Sequence, residues 1–362
     1  MGRVAVGLAA LALSGCSVVA TPGSAPVPSV PPPPQAALGY VVCPTALSPV
    51  ELATRTAEDP IPLPIQGTPA LGDFAVATSP DGRSAYVVTD TESPGGPPQP
   101  VLVPVDLVTQ RAGRPIALPG SGATRAVVVT HDGTTALAAV GTTIVPVDVA
   151  TRAVGTPLDL GPGRDVSGLA LSPTSSTLYV LVPDGLVPVD TTTARAGAPV
   201  ATGLGVSSVA SPHGVAVSPD GRTVYVVGQG GSDFGGRLAA MSSATGVVGP
   251  ATSFDQFGIT DPSAVAVTGD GTQVLVADSA NNWIVPVPAA RLGTPDGPVR
   301  LPSGDAAAAG TDHPSDIVVG PGTTGAFVVT GLDTVLPFSP ASGTFGRPIP
   351  VCAGASSMAV TG

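Results

Sequence analysis

The sequence predicts an all-β fold, a seven-bladed β-propeller closed by a composite blade made from both chain termini. Three observations carry that expectation. A short apolar strand, a tight turn and a second apolar strand recur six times along the chain. The period, about 40 to 50 residues, is that of propeller blades built from short strands. A seventh copy is present only as two fragments, one at each end. Composition agrees: Gly 47 and Pro 43 punctuate the chain, yet 43% of it is hydrophobic, too apolar for a disordered Pro/Gly polymer.

The first residues lie outside that fold. Arg3 precedes an apolar run from Val4 to Leu13. This run is far shorter than the roughly 20 residues a membrane-spanning helix needs, and it suits an export signal. The run ends in Leu13-Ser14-Gly15-Cys16, which resembles the lipobox of bacterial lipoproteins. The resemblance implies that residues 1–15 are a signal peptide and that Cys16 becomes the lipidated first residue. Residues 16–37 hold that cysteine and an uncharged Pro/Ser/Ala-rich stretch. In polyproline II such a tether gains about 3.1 Å per residue, a reach of roughly 60 Å.

The propeller is expected over residues 38–362. Its aligned first phrases are "FAVATSPDG" from Phe74, "RAVVVTHDG" from Arg125, "SGLALSPTS" from Ser167, "HGVAVSPDG" from His213, "SAVAVTGDG" from Ser263 and "SDIVVGPGT" from Ser315. Each begins an innermost strand and ends in a tight turn; in Pro219-Asp220-Gly221, for example, Pro presets the first angle and Gly takes the positive φ. A Val- and Tyr-rich second strand follows ("SAYVVT", "TLYVLV", "TVYVVG"). A third carries "VPVD" or a relative, and a fourth is a short phrase such as "GRPIALP". Proline within a strand removes a ladder donor, so a bulge is expected at Pro104, Pro146, Pro188, Pro286 and Pro337. Asp106, Asp148 and Asp190 recur once per blade and are expected to accept backbone N–H groups of the next turn. "GVAVSPDGRTVYVV" followed by the "VPVD" strand resembles the YVTN-type β-propeller repeat of bacterial and archaeal surface and exported proteins. That resemblance implies the fold and leaves the function open.

The termini supply the seventh blade. "PVELATRTAEDPIPL" from Pro49 parallels "PVDVATRAVGTPLDL" from Pro146, and the terminal "ASSMAVTG" supplies the missing innermost strand. Successive strands alternate direction, so Cys43, ending the second strand, and Cys352, just before the first, fall on one face of the composite blade. They are expected to form a disulfide, which persists in an exported compartment.

Several chemistries are excluded. All 14 basic residues are arginine, so a P-loop, a Schiff-base lysine and a catalytic lysine are absent. A net charge of -11 disfavours nucleic acid and anionic membrane surfaces as electrostatic partners. No nucleophile elbow, zincin motif or acidic Ca²⁺ loop occurs. Gly320 to Gly325 matches G-x-G-x-x-G formally but occupies an inter-strand turn with no helix after it.

One constellation is left for a ligand. His213 and His313 precede innermost strands, and Arg125, Arg164, Asp165, Asp261, Asp312 and Asp316 share those entry loops. Together they are expected to ring one mouth of the central channel, where polar groups either bind a ligand or cap turns. No catalytic set, metal or cofactor is assigned. His131 stands in a turn. Trp283, Phe254 and Phe257 lie where the repeat departs most from its consensus, as does Gly228 to Arg237. The expected function is that of a non-catalytic cell-envelope lipoprotein. It would be a monomer on the outer side of the cytoplasmic membrane, held there by its lipid anchor alone, presenting a face to a protein, a glycan or a small ligand. The alternative is a lactonase-like or other hydrolase working at the channel mouth. The inner strands weigh against it, being mainly Ala, Val, Gly and Ser.

Overall fold

The computed structural model describes residues 1–2, 37–65, 74–91, 99–205, 214–230, 235–302, 313–320 and 323–361. Residues 3–36, which include most of the expected signal peptide, Cys16 and the expected tether, lie outside these.

Local turn chemistry sets where strands begin and end. In four blades a hydroxyl, of Ser79, Thr130, Ser218 or Thr268, donates to the carboxylate two residues on, of Asp81, Asp132, Asp220 or Asp270. That carboxylate also accepts the backbone N–H of Arg83, Thr134, Arg222 or Thr272. Between them Gly82, Gly133, Gly221 and Gly271 take φ of 67°, 69°, 71° and 70°, the left-handed region where a Cβ is strained. The apolar residues flanking each turn are thereby paired as antiparallel strands.

Seven such antiparallel sheets form. The inner, second and third strands of blade 1 are Ala75–Thr78, Ser84–Thr91 and Gln99–Asp106. Blade 2 has Thr124–Val129, Thr135–Val140 and Thr143–Asp148, and blade 3 Gly168–Leu171, Thr177–Val182 and Gly185–Asp190. Blade 4 has Val215–Val217, Thr223–Gly230 and Gly236–Ser242. Blade 5 has Pro262–Val267, Gln273–Asp278 and Trp283–Pro288. Blade 6 has Pro314–Val319, Ala326–Thr330 and Thr334–Ser339. In blade 7 the inner strand Ser357–Val360 comes from the C-terminus, while Leu38–Cys43 and Ala46–Glu51 come from the N-terminal side. Each inner strand contacts the next, and that of blade 7 contacts those of blades 6 and 1, so the ring is closed.

Leu38–Cys43 pairs with both of its neighbours, with Val41 opposite Met358 on one side and Ser48 on the other. A Cys43–Cys352 disulfide spans the join, with Cα atoms 6.0 Å apart at a sequence separation of 309. The composite blade and its covalent fastening are thus as expected.

The prolines behave differently from expectation. The register between second and third strands runs unbroken through Pro104, Pro146, Pro188, Pro286 and Pro337, without a bulge. The irregularity falls in the fourth strand. In blade 1 this strand is two short pieces, Arg111–Ala112 and Ile116–Ala117, that pair with opposite ends of the third strand. Between them Gly113 donates its N–H to the Pro104 carbonyl at 2.7 Å. Gly155 does the same to Pro146 at 2.8 Å, and Gly197 and Gly346 to Pro188 and Pro337 at 2.7 Å. In an antiparallel strand a residue's N–H and C=O point to the same side. The proline nitrogen therefore faces the gap in the outer strand, where no acceptor waits for it. A Cβ on Gly113, Gly155 or Gly197 would lie 3.2, 3.0 or 3.1 Å from the proline Cγ, a close approach, while in blades 7 and 5 Glu58 and Asp296 make the same bond to the Pro49 and Pro286 carbonyls at 2.9 Å.

The core lies between blades. Tyr40 and Leu47 of blade 7, for instance, pack with Val87 and Val103 of blade 1. Each such buried side chain contributes about 1.5–3 kcal/mol. Tyr40, Tyr86, Tyr179 and Tyr225 are buried, which pushes each phenol above its ordinary pKa.

Candidate functional site at the channel mouth

The strand registers align one position just before each inner strand's regular pairing: Phe74, Arg125, Ser167, Ser263, Ser315 and Ser356. His213 is the sequence equivalent in blade 4 and lies outside the described residues, as does Asp312. The ladder skips Arg125, Ser263 and Ser315, each at a register shift. The serine hydroxyls turn back onto carbonyls: Ser167 to Leu181 at 3.2 Å, Ser263 to Ala277 at 3.4 Å, Ser315 to Val329 at 3.2 Å and Ser356 to Phe74 at 3.4 Å. This serine rim was not singled out from the sequence, although Ser opens three of the aligned phrases and recurs in "ASSMAVTG".

One residue further in stand Ala75, Ala126, Gly168, Gly214, Ala264, Asp316 and Ser357. Asp316 is the charged member, and it is fully buried. Its Oδ1 accepts the N–H of Ile317 at 2.7 Å, and its Oδ2 accepts that of Met358 at 2.9 Å. The carboxylate thus joins the inner strand of blade 6 to the closing strand of blade 7. Beside it the Ser357 Oγ is buried with no hydrogen-bond partner among the described residues. Deeper in, the level of Ala77, Val128, Ala170, Ala216, Ala266, Val318 and Ala359 is wholly small and apolar.

The other expected mouth residues each make local contacts. Arg164 bonds Asp184 through Nε at 3.1 Å and Nη2 at 3.0 Å, and donates from Nη1 to the Leu160 carbonyl at 3.0 Å. The His313 carbonyl accepts the N–H of Gly331, and its exposed ring lies over that glycine. Asp261 accepts the Ser279 hydroxyl at 3.0 Å. Arg125 is half-buried on its bulge. Asp278, next to Asp261, is fully buried; burial first, then the Asp261 charge, pushes its carboxyl above the ordinary range. Asn281 donates to its Oδ2 at 2.6 Å. Among the described residues no group of three or more His, Cys, Asp or Glu side chains is placed to hold a metal ion.

The third-strand aspartates do what the sequence implies. Asp106 accepts the N–H groups of Val108 and Thr109, Asp148 that of Thr151, and Asp190 those of Thr192 and Thr193. Of the aromatics in the divergent stretch, Phe254 is fully buried, and Phe257 and Trp283 pack partly exposed on the same core. Arg237 and Asp255 form a bidentate ion pair at 2.5 and 3.0 Å, which holds the Asp255 carboxyl below its usual range.

No family model matches the chain, and no curated protein matches it. Solved structures do. A hydrazine synthase structure from Kuenenia stuttgartiensis is similar at 13% identity and TM-score 0.62, covering 85% of this chain and 90% of that one. A protein of unknown function from Desulfotomaculum acetoxidans is 14% identical, with TM-score 0.63 and coverage of 90% and 98%. A 6-phosphogluconolactonase candidate from Bacteroides uniformis is 16% identical, with TM-score 0.66 and coverage of 90% and 100%. At these identities the likeness shows the propeller fold alone.

Proposed function

We propose that the chain is a non-catalytic cell-envelope lipoprotein of the YVTN type, a propeller scaffold that presents a binding face to a protein, glycan or small ligand. The observation that carries this reading is the way charged groups at the mouth are spent. Asp316 bonds two backbone N–H groups across the blade join, and Arg164 is bound to Asp184 and to a carbonyl. The first fastens the blade join and the second its own loop, and the two do not converge on a reacting atom. The disulfide supports an oxidising, exported location. "LSGC" at Leu13 to Cys16 supports lipid attachment, with the uncharged stretch behind it as tether.

The test is incorporation of labelled palmitate into the wild-type chain and into Cys16→Ser, followed by membrane fractionation. Label and membrane retention lost in the variant are expected; equal retention of both would overturn the anchor. The second reading, a lactone hydrolase, draws on the fold shared with the 6-phosphogluconolactonase candidate. Turnover of 6-phosphogluconolactone that falls on His313→Ala would establish it in place of the first.

A further inference from the structure

The repeat itself provides an internal control for one groove. On the face opposite the channel mouth, blades 6 and 7 enclose a cavity of about 530 Å³, and blades 1 and 2 enclose its counterpart of about 630 Å³. Both are built on the same proline and glycine pair, Pro337 with Gly346 and Pro104 with Gly113. Into each, the following blade sends an arginine from a left-handed turn position, Arg55 at φ 60° or Arg152 at φ 61°. In both the guanidinium Nη1 lies over the glycine, 3.1 Å and 3.4 Å from where its Cβ would be.

The side chains at matching register positions differ in one direction. Where blade 1 has Tyr86, Val105 and Ala112, blade 6 has Phe327, Phe338 and Phe345. These are three of the chain's seven phenylalanines, and the Phe338 and Phe345 rings meet at 4.8 Å. Where blade 1 has Asp106, blade 6 has Ser339, so the carboxylate that shares the first groove with Arg152 is missing from the second. Arg55 makes no side-chain hydrogen bond or ion pair among the described residues. The groove between blades 6 and 7 is therefore an aromatic floor under an uncompensated cation, in a protein of net charge -11.

We infer that this groove binds a small monocarboxylate with an aromatic or branched apolar body. The guanidinium presents a planar fork that matches a carboxylate, and the phenylalanines take the body. A volume of about 530 Å³ falls within the range of small-ligand pockets. Gly320, Thr323 and Gly325 supply one wall. The site is separate from the channel mouth and stands whether or not the chain is lipid-anchored.

Calorimetric titration of the full-length chain with 3-phenylpropionate, and with 3-phenylpropan-1-ol as its uncharged match, tests the inference. The acid is expected to bind at least about tenfold tighter than the alcohol, and Arg55→Gln to erase that difference. Ser339→Asp restores the residue three other blades carry there. It is expected to weaken the acid at least about tenfold with thermal unfolding unchanged. Arg152→Gln, in the counterpart groove, is expected to leave both affinities as they were. No binding of the acid up to about 10 mM, equal binding of acid and alcohol, or the same loss in Arg152→Gln as in Arg55→Gln would overturn it.

Discussion

Replacing Asp316 with alanine tests whether the blade join depends on a single side chain. The substitution takes the acceptor from two backbone donors, Ile317 N–H at 2.7 Å and Met358 N–H at 2.9 Å, at a fully buried position. Each donor left unsatisfied costs about 1–3 kcal/mol, and removing a buried charge returns part of that, so the net loss is about 2–5 kcal/mol. Unfolding entropy near 2.1 cal/mol/K per residue, over Ala36–Gly362, converts this to a fall in Tm of about 3–7 °C. Asp316→Asn keeps one carbonyl acceptor and should lose about half as much. The neighbouring Ser357→Ala removes a buried hydroxyl that has no partner among the described residues, so it should leave Tm unchanged or slightly raised. Scanning calorimetry of the three variants decides the matter. An unchanged Tm for Asp316→Ala, or an equal loss for Ser357→Ala, would refute the strut.

Removing the disulfide with Cys43→Ala/Cys352→Ala should lower stability, with a ceiling of about 5–6 kcal/mol from the chain-entropy relation for a separation of 309 residues; denaturant midpoints measure it. Gly155→Ala places a Cβ 3.0 Å from the Pro146 Cγ and should cost no more than about 1 kcal/mol, since Glu58 is accommodated at the same place over Pro49; thermal unfolding measures it, and a larger loss that Pro146→Ala relieves would show that the contact cannot yield. Asp81, Asp132, Asp220 and Asp270 are held below the ordinary carboxyl range, first by the hydroxyls two residues before them and then by backbone N–H groups. Their stabilisation is present above the unfolded pKa near 3.9 and is lost as pH falls through the lower folded values, so urea midpoints should drop below about pH 4. Asp278 has the opposite sign, because burial raises its folded pKa: its neutral form favours folding below the unfolded value, and that advantage goes as pH rises through the folded one. Asp278→Asn should therefore gain on the wild type as pH rises from about 4, and parallel pH profiles of the two would count against it.

The blade count, the composite blade and the disulfide were legible in the sequence because each rests on local or topological rules. Turn residues such as Pro219-Asp220-Gly221 mark strand ends, and strand alternation puts Cys43 and Cys352 on one face. The proline reading went astray because a strand has two edges. Pro104 does lack a ladder donor, but the sequence does not say that its nitrogen faces the outer strand, where Gly113 already interrupts the pairing. The contacts of the expected mouth residues were not legible in the sequence. Asp316 sits beside His313 in the chain, yet its Oδ2 partner is Met358, 42 residues away on a different blade. The blade 6–7 groove was visible only as "LPFS" in place of "VPVD", and the change gains meaning when Arg55 arrives from the far end of the sequence.

The divided outer strand also bears on how these molecules behave when crowded. A four-stranded blade ends in an edge whose free N–H and C=O groups invite another chain's strand. Here the outermost pieces are two residues long in blade 1, at Arg111–Ala112 and Ile116–Ala117, and they are separated by Gly-Arg-Pro. A foreign strand meeting that rim finds no run long enough to extend a ladder, and Pro115 within the gap offers it no donor. In a chain that is 43% hydrophobic and whose regular elements among the described residues are nearly all β-strands, the divided strand thus leaves that rim a poor template for strand addition.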